Sequence, residues 1–316
     1  MASRRGRALD GVLLLDKPEG LSSNHALQRA RRILDARKAG HTGTLDPFAT
    51  GLMVLCFGEA TKFSGAMFHA DKRYLATLAF GEETDSGDRT GLPVGFPGQQ
   101  ADRRVEEVEL RDVLSRFAGR ITQVPPMYSA LKRDGKPLYE YARAGIELER
   151  EAREVTIHDL RMVSMTPGAA VLDVACSKGT YIRTLAQDIG RALGRGAHLT
   201  GLRRTQTAGF ALSEAWTLDR LEALADPAGA LLPADALLPE LAAVQLDEAA
   251  AQRFLQGRRE RWTAAAPAAA GASGQAAGAP TDKVRVYGPE GKFLGTARCE
   301  DGWLQPDRLI SFKETT

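Results

Sequence analysis

The chain has 316 residues, and its 42 Lys and Arg against 40 Asp and Glu leave a formal net charge of only +2. Hydrophobic residues make up 43% and charged residues 26%, an ordinary globular composition that excludes disorder over most of the chain. The apolar run nearest the N-terminus, Val12 to Leu15, stops at Asp16, far short of the roughly 18 apolar residues that a membrane span needs.

Two elements and a turn are predicted at the start of the chain. Gly11 to Leu15 is dominated by apolar residues, which indicates a short buried strand. Asp16 to Gly20 has the composition of a turn. Asn24 to Ala36 has apolar residues at helical spacing with arginines between them, which predicts a helix.

The segment Gly40 to Gly51 (GHTGTLDPFATG) is the most unusual of the chain. Its glycines and threonines are poor helix formers, and Pro47 restrains Leu45 and Asp46 to extended or turn geometry. A surface Asp-Pro turn has a similar composition, but the apolar residues around Asp46 indicate that the loop is buried beside a core. We therefore expect a stiff loop that projects one carboxylate.

Helices and strands alternate irregularly through the rest of the first 240 residues. Tyr74 to Phe80 predicts a strand covered on both faces, although a tyrosine that follows Lys72-Arg73 also suits a base-stacking platform. No GxGxxG motif follows a strand, so we expect an α+β fold with a mixed sheet and not a Rossmann fold. The other predicted elements are helices at 110–117 and 182–193 and strands at 155–163 and 171–176.

Arg183 lies at the start of the helix at 182–193 and is a candidate partner for Asp46. A buried carboxylate needs a nearby cation, because otherwise its pKa rises and it becomes neutral. Thr180 is the predicted cap of this helix, which places Arg183 in a first turn whose dipole favours anions. An arginine at that unfavourable position is expected to serve a distant partner, although a solvent-facing arginine gives the same pattern.

The last part of the chain predicts a small β-rich domain at residues 244–312. Asp247 is placed to cap a short helix, and strands follow at 283–287 and 292–297 with a Pro-Glu-Gly turn between them. Residues 264–280 contain only Ala, Gly, Pro, Ser and Gln, which predicts a flexible insert within this domain.

The side chains that bind metals or nucleic acids are unevenly distributed. The three cysteines include no CxxC pair and the five histidines no zinc-ligand spacing, so we expect no structural metal and a cytoplasmic, reducing environment. Because the net charge is near zero, nucleic-acid binding has to come from local basic clusters. One such cluster is more typical of a solvated helix face, and four modestly favour a nucleic-acid partner. They are Arg29 to Lys38, Lys132 to Lys136, Arg203-Arg204 and Arg258-Arg259.

Six segments, in order between about residues 10 and 215, resemble the motifs of bacterial tRNA pseudouridine-55 synthases, the TruB family. The segments are Gly11–Asn24, Gly40–Gly51, Lys72–Tyr74, Thr122–Lys132, Cys176–Arg183 and Gly196–Arg204. The resemblance implies the pseudouridine synthase fold for residues 1–240, a mixed, mostly antiparallel sheet with flanking helices, and an RNA-contacting insertion at about 122–152. The domain at 244–312 is similar to PUA-type RNA-binding modules.

The resemblance also implies roles for individual residues. Asp46 is implied to be the catalytic aspartate, with Arg183 as its ion-pair partner and Tyr74 as a further catalytic residue in the uridine pocket. Five more residues are implied to bind the substrate or support the loop: His41 against looped-out nucleotides, Tyr181 in the uridine pocket, Leu202 near the base, and Lys17 and Pro18 behind the catalytic loop.

By the same resemblance, the chain converts uridine 55 of the tRNA T-loop to pseudouridine, as a monomer without a protein partner, membrane, metal or cofactor. The base leaves C1′, rotates and rejoins the ribose through C5, with no net redox change. The nucleotide has to be flipped out of folded RNA, which costs roughly a few kcal/mol. A carboxylate can serve as the nucleophile. The sequence leaves open whether Asp46 attacks C6 or C1′, and which group removes the C5 proton.

Three other functions fit part of the pattern. A non-catalytic RNA-binding or RNA-folding protein uses the same basic and aromatic residues but has no use for an enclosed carboxylate. An aspartate-dependent hydrolase needs a second carboxylate, for which Asp85 and Asp88 are candidates in a loop that we expect to be solvent exposed. A pseudouridine synthase that acts on ribosomal RNA shares the chemistry.

Overall fold

Two β-sheets, one large and one small, organise the computed structural model, which describes residues 6–95, 98–100, 103–262 and 282–312. The strands are β1 Gly11–Lys17, β2 Ala39–His41, β3 Thr50–Phe57, β4 Lys72–Phe80, β5 Glu83–Thr84, β6 Pro93–Val94, β7 Gly119–Gln123, β8 Lys132–Arg133, β9 Lys136–Pro137, β10 Arg153–Thr166, β11 Ala169–Cys176, β12 Ala197–Thr207, β13 Phe210–Ala211, β14 Ala242–Gln245, β15 Glu260–Arg261, β16 Lys283–Tyr287, β17 Phe293–Glu300 and β18 Trp303–Leu309. The α-helices are α1 Ser23–Ile33, α2 Glu107–Arg116, α3 Leu138–Arg143, α4 Ile182–Ala192, α5 Leu218–Glu222 and α6 Glu248–Leu255.

The large sheet has the strand order β1-β3-β12-β4-β11-β10-β7, with β2 beside β3 and β13 beside β12. The β3–β12 pair is parallel, and the other pairs of this sheet are antiparallel. Leu27 of α1, Leu110 of α2 and Ile189 of α4 are almost fully buried in one core with Leu78 of β4. This arrangement confirms the predicted α+β class with a mixed, mostly antiparallel sheet and flanking helices.

Two local predictions in this part of the chain are wrong in detail. The strand at Tyr74–Phe80 is not covered on both faces, because Leu75 is 36% exposed. The first helix ends at Ile33 and not at Ala36. Asp35 adopts a positive φ of 46°, which an α-helix does not accommodate.

The Arg203-Arg204 cluster is not the exposed basic patch that the sequence suggested. Arg203 forms an ion pair with Asp16 at 2.7 Å, and Arg204 is only 3% exposed. The side chains alternate across β12, so the two arginines serve opposite faces of the sheet.

The small sheet has the strand order β14-β16-β17-β18-β15 and its own core around Phe254 and Val286. Asp247 caps α6 as predicted, since its carboxylate accepts the Ala250 N–H at 2.8 Å. The rings of Phe63 and Phe293, with centroids 5.3 Å apart, pack together where β17 of the small sheet meets the core beside β1 and β3. The predicted insert at 264–280 lies outside the described residues.

Within the part of the chain that the structure describes, no helix is both long and apolar enough to cross a membrane. The same residues contain no group of three or more His, Cys, Asp or Glu side chains placed to hold a metal ion.

Candidate active site

Asp46 lies in a loop, residues 42–49, that connects β2 to β3; we refer to it as the Asp46 loop. Ser23 at the start of α1 fixes this loop: the Leu45 N–H donates to Ser23 Oγ, and the Ser23 hydroxyl faces the Leu45 carbonyl, both at 2.8 Å. Leu45 and Phe48 are 4% and 6% exposed. The loop is therefore anchored in the core and presents Asp46 on a rigid support.

The Asp46 carboxylate pairs with Arg183, the second residue of α4. Arg183 Nε lies 2.9 Å from Asp46 Oδ2. The other two guanidinium nitrogens donate to the carbonyls of Ser86 (2.7 Å) and Tyr128 (2.6 Å). Because three separate chain segments share one almost fully buried guanidinium, the position of Arg183 relative to Asp46 is tightly defined.

Asp88 brings a second carboxylate to this arginine, which corrects the expectation that its loop is solvent exposed. Asp88 is 4% exposed, and its Oδ2 lies 3.8 Å from Arg183 Nε. Its Oδ1 accepts from the Ser86 hydroxyl and from both the N–H and the hydroxyl of Thr90, at 2.6 to 3.0 Å. Asp85, by contrast, is exposed as expected. The loop's own hydroxyl groups make burial of Asp88 possible.

The electrostatics of Asp46 reflect opposing influences. Burial raises the pKa of Asp46 above its ordinary value, the Arg183 guanidinium lowers it, and the Asp88 charge raises it again. The net direction is upward, so Arg183 offsets the desolvation only in part. About a third of the Asp46 side chain stays open, which leaves the carboxylate accessible to a ligand.

Asp46 and Arg183 line a cavity of about 680 Å³, which is within the usual size range of small-molecule sites, roughly 300–1,000 Å³. His41 also lines it, and its buried Nδ1 has no hydrogen-bond partner among the described residues. Burial and the Arg204 charge lower the pKa of His41, so its imidazole is neutral at neutral pH. The wall also includes polar and aromatic groups from three segments: Ser22, Ser23, Asn24, Ser86, Tyr128, Ser129 and Tyr139.

Tyr181 lies beside this cavity at the start of α4. It is the N-cap residue, whereas the predicted cap, Thr180, instead donates its hydroxyl to the Ser177 carbonyl at 2.9 Å. Burial raises the pKa of the Tyr181 hydroxyl, and the nearby Asp46 charge adds a smaller upward contribution.

Tyr74 and Leu202 lie deeper, on the paired strands β4 and β12, and neither lines the cavity. Tyr74 is 9% exposed and faces Arg204 in the strand register. Burial raises the pKa of its hydroxyl, and the nearby Asp46 charge adds to the shift. Leu202 is 8% exposed and lies opposite Ala76.

Lys17 and Pro18 lie behind the Asp46 loop. Lys17 is completely buried, and its ammonium group donates to the carbonyls of Pro18 (2.9 Å), Leu21 (2.7 Å) and Pro47 (3.3 Å). Pro47 directly follows Asp46, so Lys17 links the end of β1 to this loop. The turn predicted at 16–20 thus contains a fully enclosed cation. The ring of Pro18 is exposed.

Sequence reasoning missed Arg204 and Ser23 as residues of the site, and it named Asp88 only as a candidate second carboxylate for a hydrolase. The basic pair Arg203-Arg204 and the polar run Ser22-Ser23-Asn24 were visible in the sequence, but nothing there showed which members are buried. For Asp88, the nearby Ser86 and Thr90 were the available signal, because hydroxyl groups two residues away can satisfy a buried carboxylate.

Comparison with known protein families places the chain in one family along most of its length. Residues 31–182 match the family model described as the TruB family pseudouridylate synthase N-terminal domain. Residues 183–239 match the tRNA pseudouridylate synthase B C-terminal domain, and residues 242–310 match the C-terminal model of pseudouridine synthase II TruB. The chain belongs to the TruB family. Its predicted class, a pseudouridine synthase and hence an isomerase, is confirmed.

Individual TruB relatives are similar over long stretches. The tRNA pseudouridine synthase B of Burkholderia mallei (strain NCTC 10247) is 53% identical over 306 residues, 96% of this chain and 98% of that protein. The protein of the same name from Bordetella avium (strain 197N) is 69% identical over 237 residues, 73% of this chain and 95% of that protein.

Two solved structures share the fold at lower identity. A chain of a Cbf5-Nop10-Gar1 complex superposes with a TM-score of 0.67 at 22% identity, over 95% of this chain and 84% of that chain. A chain of an H/ACA RNP bound to a substrate RNA containing 2′-deoxyuridine gives a TM-score of 0.68 at 21% identity, over 95% and 85%. These likenesses confirm the pseudouridine synthase fold.

Proposed function

We propose that this TruB-family chain converts uridine 55 in the T-loop of tRNA to pseudouridine, with Asp46 as the nucleophile. The observation that carries the proposal is the Asp46–Arg183 ion pair, 2.9 Å long, at the wall of a cavity of about 680 Å³. An enclosed, partly accessible carboxylate beside a fixed guanidinium suits nucleophilic attack on a nucleotide and disfavours simple phosphate binding.

The proposed reaction exchanges one glycosidic bond for another. The C1′–N1 bond of the uridine breaks, the base rotates, and a C1′–C5 bond forms while C5 loses a proton and N1 gains one. No electrons are gained or lost, so the chemistry requires neither nicotinamide nor metal. The Asp46 carboxylate attacks either C6 of the base or C1′ of the ribose, and Arg183 holds it in place for either route.

Recognition of the nucleotide is assigned to the residues around the carboxylate. His41 on the cavity wall stacks against flipped-out nucleotides, and Tyr181 and Tyr74 complete the uridine pocket with Leu202 near the base. Lys17 and Pro18 support the Asp46 loop from behind. The flipping cost, roughly a few kcal/mol, is offset by stacking on these rings and by phosphate contacts.

The division of the chain follows the same proposal. Residues 1–240 are the catalytic domain, with an RNA-contacting insertion at about 122–152, and residues 244–312 are a PUA-like RNA-binding domain. The proposal also includes action as a monomer without a protein partner. Three free cysteines, two of them buried, support a reducing cytoplasmic environment.

Incubation with an unmodified tRNA transcript, without added metal or nucleotide, tests the proposal. We expect one pseudouridine, mapped to position 55, and none in a matched transcript with cytidine at that position. Tight binding without any product would indicate a non-catalytic RNA-binding protein. Pseudouridine formed in a ribosomal RNA fragment but not in tRNA would show that the substrate is ribosomal RNA.

A further inference from the structure

Arg204 of β12 is a buried arginine. Among the residues that the structure describes, its backbone hydrogen-bond acceptors all belong to the Asp46 loop or to β3, the strand that follows it. Its Nε donates to the Leu52 carbonyl at 2.7 Å, and its two terminal nitrogens lie 3.5 Å from the carbonyls of Thr44 and Gly43. Gly43 and Thr44 precede Asp46, and Leu52 follows it. One guanidinium therefore connects both sides of the loop.

The backbone at Arg204 is held as firmly as its side chain. β3 and β12 pair in parallel with Gly51 opposite Arg204. A Cβ atom at Gly51 would collide with the Arg204 carbonyl oxygen, and Gly51 adopts a φ of +102° that disfavours other residues. This close approach positions the guanidinium under the Asp46 loop.

Arg204 also reaches the tyrosine proposed for the uridine pocket. Tyr74 lies opposite Arg204 across the β4–β12 pair, and the guanidinium charge lowers the pKa of its hydroxyl against the larger effect of burial. A single side chain thus contacts the loop that carries Asp46 and lies beside Tyr74. At 3% exposure, Arg204 has almost no surface left for contact with RNA.

We propose that Arg204 is a positioning residue of the uridine isomerisation, which fixes the Asp46 loop and the Tyr74 hydroxyl relative to each other without touching the RNA. This inference rests on the proposed function. A small shift of a reacting group can reduce a rate by about 100-fold. Arg204 is therefore expected to control turnover and not affinity.

The test compares Arg204→Lys and Arg204→Gln with wild-type enzyme and with Arg203→Lys, a matched control on the same strand. Single-turnover rate, tRNA Kd and unfolding temperature are measured for each. We expect Arg204→Gln to lose about 100-fold in rate with Kd within about threefold of wild type. Arg204→Lys should recover part of the rate, because an ammonium group replaces one or two of the hydrogen bonds. Arg203→Lys should keep the wild-type rate within about threefold.

A double-mutant cycle with Tyr74→Phe separates positioning from general loss of stability. If Arg204 acts through the Tyr74 hydroxyl, Arg204→Lys reduces the rate less in the Tyr74→Phe background than in the wild-type background. Equal reductions in both backgrounds, a full rate in folded Arg204→Gln, or a loss confined to Kd would each overturn the inference. If Arg204→Gln does not fold, Arg204→Lys and the double-mutant cycle with Tyr74→Phe test the inference instead. Failure of the wild-type enzyme to modify tRNA would instead reject the proposed function.

Discussion

Asp46 combines burial, which raises its pKa, with an arginine that lowers it. A carboxylate must be ionised to act as a nucleophile, so the active fraction is lost as the pH falls through this raised pKa. Burial disfavours the charged form of a carboxylate, so the folded protein holds the ionised Asp46 at an energetic cost. Side chains whose pKa is shifted by burial and by a nearby charge are common at catalytic sites.

Removal of the arginine charge should move the acid limb of the pH–rate profile. We expect Arg183→Met to lower the single-turnover rate by about 100-fold or more and to shift the limb to higher pH, because the influence that lowers the Asp46 pKa is gone. Arg183→Lys keeps the charge and should leave the limb near its wild-type position. An unshifted limb in Arg183→Met, measured in the same buffers, would contradict the electrostatic account.

Lys17 should produce the alkaline limb of the same profile. Burial lowers its pKa to about 8, against the opposing charges of Asp46 and Glu19. Above that pH the amine keeps only two N–H donors for its three carbonyl acceptors, so the Asp46 loop loosens and the rate falls. Lys17→Met should show a lower rate with no limb near pH 8. A wild-type rate that stays constant up to about pH 10 would exclude this role.

Loss of activity above pH 8 should not arise from unfolding caused by Lys17. Its pKa is lower in the folded than in the unfolded state, so between about pH 8 and the ordinary lysine pKa of 10.5 the unfolded chain binds more protons. The contribution of Lys17 to the free energy of unfolding therefore rises with pH in this window. Unfolding temperatures recorded alongside the rates separate the two effects.

At the scale of elements, the site depends on the loop between β5 and β6 as much as on the Asp46 loop. Asp88 anchors this loop through Ser86 and Thr90, and the Ser86 carbonyl in turn accepts from Arg183. A change in the loop is therefore expected to reach the ion pair through the Ser86 carbonyl.

Asp88→Asn should lower the single-turnover rate at least about tenfold while tRNA affinity changes little. An amide offers one oxygen acceptor where the carboxylate offered two, so the loop loses part of its support. Glu82→Gln, at an exposed position directly before β5, is the control and should keep the wild-type rate. Equal rates for wild type and Asp88→Asn would show that Asp88 does not support the ion pair.

Element-level prediction from the sequence succeeded where one force dominates and failed where tertiary contacts decide. The apolar periodicity was sufficient to predict α4, and the backbone restraint by Pro47 was sufficient to predict a stiff loop at Asp46. The burial of Asp88 was not predicted, because the polarity of its loop indicated solvent although Ser86 and Thr90 satisfy the carboxylate. The burial of Arg204 was not predictable, because its acceptors come from distant segments. The end of α1 depended on the positive φ of Asp35, which the helical pattern does not encode.

At the scale of the whole molecule, we propose that the domain of the large sheet carries out the reaction and that the domain of the small sheet binds RNA. Arg259 and Arg261 lie 4.5 and 5.8 Å from the Trp303 ring centroid at one edge of the small sheet. Both arginines are exposed, and an exposed arginine beside an aromatic ring suits contact with an RNA backbone.

The Arg259→Gln/Arg261→Gln double variant should bind tRNA more weakly and with less dependence on salt. Each lost phosphate contact reduces the slope of log K against log salt by about 1. The rate at saturating tRNA should stay within about twofold, because the ion pair at Asp46 is untouched. Arg111→Gln on the exposed face of α2 is the control. An unchanged slope would exclude this edge of the domain from the RNA interface.

The most direct test of the whole account is the single-turnover conversion of uridine 55 by Asp46→Asn, measured beside its tRNA Kd. Asparagine keeps the shape of the side chain and can still face Arg183, but it cannot serve as an anionic nucleophile. We predict no detectable pseudouridine and a Kd within about threefold of wild type. Pseudouridine formed at a rate close to that of the wild-type enzyme would contradict the central role of this carboxylate.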